Sequence, residues 1–168
     1  ASRPCCGGAQ YERTGWYLDD IEIVTKAPAF TGDFESGWDD WGSMYGIWQV
    51  GTPTAGPASC YTGTQCAGTN LDGNYGPDAD SRLVSPTIVM PILLGSEETH
   101  LRFQSWYSYL GGDGGQVHVQ VWDTASSTWG AWINVQSVAN TINNTAGNTS
   151  VWSLVDVDLS VYEGEAIR

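Results

Sequence analysis

The chain has 168 residues, of which 41 % are hydrophobic, which suits one globular domain with a core of its own. Its formal net charge of −13 argues against nucleic acid and anionic membrane surfaces as partners, and no apolar run is long enough for membrane insertion. The same charge suits an extracellular protein or one that binds divalent cations. Nine Trp, eight Tyr and 21 Gly, without helical periodicity, predict an all-β protein with glycine-rich loops.

The first clear element is a strand predicted over residues 15–23, GWYLDDIEI, because the segment is aromatic, β-branched and apolar. Strict alternation would place Tyr17, Asp19, Ile21 and Ile23 on one face. Asp19 is the exception in this apolar row, and a buried carboxylate is costly unless a cation or hydrogen-bond donors meet it. Two interpretations stay open: Asp19 lies at a wet rim of the sheet, or it is a calcium ligand.

The segment after this strand predicts a division of the chain. Residues 25–31 contain Ala-Pro-Ala and are predicted to be a semi-rigid linker. Short strands are predicted at 33–35 and at about 46–51. Residues 1–31 would then be an N-terminal loop, strand and linker, and residues 32–168 a sandwich domain.

The four cysteines indicate where the protein works. Cys60 and Cys66 bracket the short loop 61–65 and are predicted to form a local disulfide. Cys5 and Cys6 are adjacent and form either a vicinal bridge or bonds elsewhere in this molecule or to another one. Zinc binding is disfavoured, since neither pair has CxxC spacing and no His lies nearby. Disulfides indicate an oxidising compartment, so we expect an extracellular or cell-surface protein.

The rest of the chain continues the β pattern. Residues 51–86 are loop-forming, and a structureless loop of that length is unusual, so a disulfide or bound ion would help to order it. Within it, Arg82 is expected to pair with a carboxylate. Residues 97–110 alternate as a central strand and are predicted to form a β-hairpin with 116–123. A further strand is predicted over 151–159, and the spacing of all these strands predicts a two-sheet antiparallel sandwich.

Short motifs carry a resemblance to a known family. They are GDFESGWDDW at 32–41, GIWQVGTPTAGPASCYTGTQCAGTNLDGNY at 46–75 and DSRLVSP at 80–86, together with the strand at 15–23. The chain resembles bacterial extracellular jelly-roll modules of the MAM and cleaved-adhesin type, which occur as repeats in secreted and surface proteins. In that family an FE motif lies on the opening strand and a W-Y-I-D-D-I-type strand closes the fold, whereas here the two motifs come in permuted order. The resemblance implies jelly-roll topology.

The resemblance also implies a structural calcium ion, Ca²⁺, between the closing and opening strands. Asp19 and Glu35 would be its main ligands, with Asp20 and Asp33 as supporting candidates. Because the motifs are permuted, the site could form within one chain or between neighbouring copies.

No catalytic constellation is evident in the sequence. The two histidines, His100 and His118, lie outside any HExxH motif, and no GxSxG, P-loop or dinucleotide fingerprint is present. Carboxylates are abundant, but nothing marks a pair that shares a cleft. We therefore expect a protein that is not an enzyme.

Two functions are compatible with these patterns. The first is a structural or adhesive repeat that assembles with copies of itself into a filament, with residues 15–24 completing a neighbour's sandwich. The same residues could instead fold back into their own sandwich. The second is a carbohydrate-binding module in which exposed Trp rings stack on sugars. The candidate stacking residues are Trp38, Trp41, Trp106, Trp122 and Trp129.

Overall fold

A computed structural model describes residues 15–24, 28–109, 113–135, 147–148 and 151–168. This part of the chain is all-β, as predicted, and a 3₁₀ turn at Ser160–Tyr162 is its only helical segment. None of its helices is long and apolar enough to cross a membrane. Cys5 and Cys6 lie outside the described residues. The strands are β1 (Gly15–Val24), β2 (Pro28–Gly32), β3 (Gly42–Met44), β4 (Gln49–Gly51), β5 (Cys66–Gly68), β6 (Arg82–Val84), β7 (Ile88–Val89), β8 (His100–Tyr109), β9 (His118–Val119), β10 (Trp122–Asp123), β11 (Thr128–Trp129), β12 (Ile133–Asn134), β13 (Gly147–Asn148), β14 (Ser153–Asp158) and β15 (Ala166–Ile167).

The strands form antiparallel sheets, as expected for a sandwich. The largest sheet has seven strands in the order β13-β8-β1-β5-β4, with β14 also paired to β8 and β2 also paired to β1. Four two-stranded sheets complete the described fold: β10-β11, β9-β12, β7-β15 and β3-β6. The all-β prediction is confirmed, while jelly-roll topology stays a prediction.

Strand β1 lies in the middle of the large sheet. One of its edges pairs with β8 along almost its whole length. Its other edge pairs with β5 near the start and with β2 near the end. Both edges of β1 are therefore hydrogen-bonded to strands of the same chain, which is the fold-back arrangement of residues 15–24.

A β-bulge breaks the alternation predicted for β1. Between Asp19 and Glu22 the strand carries one residue more than the facing part of β8. Side chains beyond the bulge therefore change face, so that Ile21 packs with Leu18 in the main core. Tyr17 lies in a different cluster. The prediction that Tyr17, Asp19 and Ile21 share one face was wrong for this reason.

The predicted linker is partly a strand. Residues 28–32 form β2, which pairs with the second half of β1, and Phe30 packs against the main core. The strand predicted at 33–35 is absent, because these residues lead into a turn. Pro28 had suggested a linker, but proline is compatible with the first position of a strand at a sheet edge. Residues 25–27 lie outside the described part.

Strand β8 confirms the predicted central strand but not its predicted hairpin. Phe103 and Tyr109 pack in the main core, as the alternation requires. Both edges of β8 are already taken, by β1 on one side and by β13 and β14 on the other. Strand β9 therefore pairs with β12 instead of β8.

Two apolar clusters lie in the described fold. The second is built around the disulfide and Tyr17, with Leu71 buried and with Trp106 and Trp152 packed against it. The main core contains Leu18, Ile21, Ile23, Phe34, Trp48, Ala67, Met90, Phe103, Tyr109, Val119, Val155, Val157, Leu159, Tyr162 and Ile167.

Candidate functional site

The disulfide loop lies directly beside the bulge of β1. Cys60 and Cys66 form the disulfide that the sequence predicts, which closes the loop 61–65. Cys66 is also the first residue of β5, and β5 pairs with Tyr17 and Leu18 just before the bulge. The pairing of β5 with β1 thus brings the loop to the carboxylates that follow in β1.

Asp19 is completely buried and receives two backbone amides. The Thr62 amide donates to Asp19 Oδ2 over 3.0 Å, and the Asp20 amide donates to Asp19 Oδ1 over 3.1 Å. The Thr62 hydroxyl donates to Asp20 Oδ1 over 2.6 Å. Burial raises the pKa of Asp19 to about 6, against the hydrogen bond from the Thr62 backbone amide, which lowers it. The negative charge of Asp20 also raises this pKa. The burial also shows that Asp19 does not lie at a wet rim.

Glu35 holds the other side of the same loop. Its Oε1 accepts the backbone amides of Thr64 and Gln65, each over 2.8 Å. Its Oε2 accepts the Thr64 hydroxyl over 3.0 Å. The Gln65 and Thr64 amides lower the pKa of Glu35. Gly63 has φ +61°, and a Cβ there would collide with the Glu35 carboxylate, so glycine suits both the backbone and the space.

Asp33 serves the turn that presents Glu35. Its Oδ1 accepts the Glu35 amide over 3.0 Å, in the manner of an Asx turn. Phe34, between them, has φ 60° and is fully buried. The hydrogen bond described for Asp33 therefore lies within its own turn and not on the disulfide loop.

We call Asp19, Asp20, Glu35 and the loop segment 62–65 the carboxylate–loop site. Its three carboxylates suit Ca²⁺ in charge and in donor type, and Asp19 is buried with no salt bridge to any cation among the described residues. The carboxylate oxygens are nevertheless spread along the loop. In the described part of the chain, no three His, Cys, Asp or Glu side chains are grouped to hold a metal. The donors fit calcium, but they do not form a finished cage.

The second apolar cluster packs beside this site, around Tyr17 and the disulfide. Tyr17 is fully buried, and its hydroxyl donates to the Asn70 carbonyl over 2.8 Å. Burial, and then the charge of Asp72, raise the pKa of Tyr17 to about 12. The Trp106 ring lies edge-on to Tyr17, with ring centroids 5.3 Å apart. The cluster thus fixes β1 immediately before the bulge.

Two of the tryptophans predicted to stack on sugars are engaged inside the fold. Trp106 packs on Tyr17, as described above. Trp41 packs edge-on against Phe34, with ring centroids 5.6 Å apart, and its indole N–H is buried without a hydrogen-bond partner. Both rings are half-buried and packed against an aromatic partner.

Of the remaining candidate tryptophans, Trp38 is exposed, whereas Trp122 and Trp129 are half-buried. Trp38 is 37 % exposed in the turn after Glu35. Trp122 and Trp129 face each other across β10 and β11, edge to face, with ring centroids 5.3 Å apart, and both are half-buried.

The histidines take part in surface hydrogen bonds. Burial lowers the pKa of His100, but its contacts with Asp156 and Glu98 together raise that pKa above the usual value. His118 contacts Gln116 over 3.0 Å. Each therefore has an ordinary structural partner.

Arg82 contacts an aromatic ring instead of the carboxylate expected from the sequence. Its guanidinium lies over the ring of Tyr45, 5.1 Å from the centroid. Among the described residues it forms no salt bridge, because its strand β6 pairs with β3, which ends just before this ring.

Sequence reasoning found the carboxylates of the site but missed what they bind. The backbone amides of Thr62, Thr64 and Gln65 were not predicted as partners, and β5 was not predicted as a strand. The bracketing cysteines were the available signal, since a closed loop of this size points its amides in a few directions only.

The comparisons with known proteins give one partial similarity. The chain is 33 % identical over 155 residues to Bacillopeptidase F of Bacillus subtilis. The alignment covers 89 % of this chain but 10 % of the relative, so the chain spans about a tenth of that protein's length. No family model matches the chain, and no solved structure matches it.

Proposed function

We propose that this chain is a non-catalytic module of an extracellular multidomain protein, with a structural or adhesive role. The supporting observation is the unequal coverage of the alignment, in which nearly the whole chain aligns with a small segment of a protein named as a peptidase. A unit that aligns over most of its length with part of a longer chain is what an accessory domain would give. We also propose that the module has the jelly-roll fold of the MAM-like domains it resembles.

The disulfide and the carboxylate–loop site support a structural role. The disulfide suits an oxidising compartment outside the cell. Glu35 accepts two loop amides and one loop hydroxyl and so acts as an anchor of the loop. A calcium ion bound at Asp19 and Asp20 would add to this role by neutralising the buried charge.

Assembly into filaments would need β1 to pair in another chain. In the described fold β1 is paired on both edges within its own chain, so exchange would break its ladders with β8, β5 and β2. We therefore propose a self-contained module. Electron microscopy and sedimentation of the purified chain, in Ca²⁺ and in EDTA, should show globular monomers, and filaments that loosen in EDTA would contradict this.

Deletion of the matching segment from Bacillopeptidase F tests the accessory role. The shortened protein should hydrolyse a short peptide substrate with kcat/KM close to that of the full-length protein. A matched control removes a segment of equal length from elsewhere in the same protein. Loss of peptide hydrolysis by a folded deletion variant would place the segment in the catalytic unit and overturn the proposal.

Carbohydrate binding is a second candidate function. The half-buried pair of Trp122 and Trp129 favours it, because a tryptophan face at the surface suits a sugar ring. Retention of the chain on an immobilised glycan panel would support this candidate.

A further inference from the structure

Aromatic rings and guanidinium groups alternate where several of the small sheets meet. The Arg168 guanidinium lies 4.5 Å from the ring centroid of Trp129 and 5.7 Å from that of Trp132. The Arg82 guanidinium lies 6.0 Å from the Trp132 centroid and 5.1 Å from that of Tyr45. We call these five residues the aromatic–guanidinium cluster. Both cations therefore share the Trp132 ring.

The two arginines carry positive charge that no described carboxylate neutralises. The chain has six Lys and Arg residues against 19 Asp and Glu, so a site with two unpaired cations runs against its overall charge. Arg102 shows the contrast, because it donates to Asp156 over 2.8 Å. Neither Arg82 nor Arg168 has a salt bridge within the described residues. Two like charges that share one ring repel each other, and an anion bound at the cluster would reduce that repulsion.

The position of Arg168 is fixed before any ligand arrives. Its Nε donates to Gln120 Oε1 over 2.9 Å. Gln120 is buried, and its Nε2 donates to the Gly130 carbonyl over 2.8 Å. A guanidinium stacked on a ring keeps its remaining in-plane N–H groups free to donate. The cluster thus offers a prepared donor edge, which lowers the entropic cost of binding.

At neutral pH the charge of the cluster comes from the arginines. The His118 ring lies 6.5 Å from Trp132, but burial, and then the charge of Arg82, lower the pKa of His118.

The rings beside these cations suit a sugar. Trp129 and Trp132 are half-buried, Tyr45 is 70 % exposed, and Trp122 supports Trp129 edge-on. Aromatic faces bind the apolar C–H face of a sugar ring, and guanidinium forks bind a carboxylate. A uronic acid has both features in one ring. The net charge of −13 disfavours a long polyanion and therefore nucleic acid, so the ligand should be short or sparsely charged.

We propose that the aromatic–guanidinium cluster binds acidic oligosaccharides. The uronate carboxylate accepts hydrogen bonds from the guanidinium N–H groups of the cluster, and the sugar ring lies against Tyr45, which is the most exposed ring of the cluster. This inference deepens the carbohydrate-binding candidate by naming its site and its ligand class.

Calorimetric titration of the full chain tests the proposal with three probes. They are a trisaccharide of galacturonic acid, the neutral galactose trisaccharide and an acidic tripeptide of equal charge. Arg82→Gln should weaken galacturonate binding about tenfold, which is the usual loss for one charged hydrogen-bond donor. Arg82→Lys keeps the charge but loses the planar fork, so its loss should also be measurable. Arg102→Gln is the matched control and should leave binding unchanged.

Each outcome decides the matter. Preference for galacturonate, weakened by salt and by Arg82→Gln in a variant with wild-type thermal unfolding, supports the proposal. Equal binding of both trisaccharides overturns the acidic ligand class but leaves the carbohydrate-binding candidate standing. Equal binding of the acidic tripeptide overturns the sugar assignment. Absence of binding by all three overturns the proposal, and absence of retention across the glycan panel as well overturns the candidate function. Should Arg82→Gln fail to fold, the wild-type ligand preference alone decides.

Discussion

Replacement of Asp19 by Asn removes a carboxylate that the fold buries completely. In metal-free buffer, burial raises the pKa of Asp19 from 3.8 to about 6, even though the Thr62 and Asp20 amides hydrogen-bond to it. The folded protein therefore holds the proton more tightly than the unfolded chain. Stability from this group is present below pH 4 and is lost as the pH rises through about 6.

The size of the effect follows from the two pKa values. A difference between 3.8 and about 6 corresponds to roughly 3 kcal/mol of unfolding free energy, lost between about pH 4 and pH 7. Asp19→Asn cannot ionise, so its profile should lack this loss. The asparagine N–H₂ group would meet one amide donor, which costs about 1 kcal/mol at every pH. The prediction therefore concerns the pH dependence and not the absolute stability.

Urea unfolding at a series of pH values in EDTA measures this difference. The His100 pKa is also raised, and it changes stability in the same direction, but it is common to both proteins and cancels in the comparison. Asp123→Asn is a matched control, since Asp123 is exposed and a hydrogen bond from the Ser126 hydroxyl lowers its pKa. The lowered pKa predicts the opposite sign, with stability from Asp123 lost as the pH falls.

Calcium should act on the same carboxylate. At about 100 times its dissociation constant, Ca²⁺ would stabilise the wild type by about 2.7 kcal/mol at pH 7, and Asp19→Asn should gain much less. Mg²⁺ serves as the ion control, because it demands stricter octahedral geometry. Parallel pH profiles of wild type and Asp19→Asn in EDTA would refute the reasoning about buried charge. Equal stabilisation of both proteins by Ca²⁺ would refute the proposed ion site.

Three further changes test the support of the site by thermal or urea unfolding. Gly63→Ala should cost about 1–2 kcal/mol for the left-handed backbone, and more because its Cβ meets Glu35, whereas Gly95→Ala, with φ +65° and open space, should cost only the backbone part; equal losses would contradict the clash. Tyr17→Phe should cost about 1–2 kcal/mol, since the Asn70 carbonyl loses its donor; an unchanged midpoint would show that water replaces it. Reduction of the disulfide should cost roughly 2 kcal/mol because it closes a loop with a sequence separation of 6; no change would mean that the carboxylates alone hold the loop.

Local patterns predicted those strands whose partners do not change the side-chain alternation. Strand β8 was predicted as an alternating central strand, and Phe103 and Tyr109, two residues of one face, both pack in the main core. In β14, Val155 and Val157 are buried as the same rule requires. In these two strands, alternation with a period of two is sufficient to place these four side chains in the core, because no bulge interrupts either strand.

The bulge in β1 could not be predicted from alternation. It depends on the register against β8, and on Asp20 adopting φ 49°, a conformation that Asp tolerates better than most residues. The predicted hairpin failed for a related reason, since the choice of partner for β8 depends on strands far away in the sequence. Chain proximity favoured β9, but β1 and β14 occupy the available edges.

The sequence predicted which carboxylates form the carboxylate–loop site, but it did not predict the backbone amides that bind them. Asp19 was identified because it stood out among apolar neighbours, whereas Asp20 and Glu35 were identified through the family resemblance. Their donors come from a loop 43 residues after Asp19, which only the pairing of β5 with β1 brings into contact. A carboxylate in an apolar row signals that something compensates it, but not whether that is an amide or a cation.

Glu35 and Asp19 are compensated in different ways. Glu35 receives enough donors to lower its pKa, so it needs no cation. Asp19 receives two amides and still has a raised pKa, so hydrogen bonds alone do not offset its burial beside Asp20. A cation at this site would therefore contribute most at the Asp19–Asp20 pair, with Glu35 as the fixed anchor that holds the loop in place. Because the loop amides stabilise ionised Glu35 but leave ionised Asp19 unfavourable, the calcium hypothesis depends on Asp19 more than on the opening-strand glutamate.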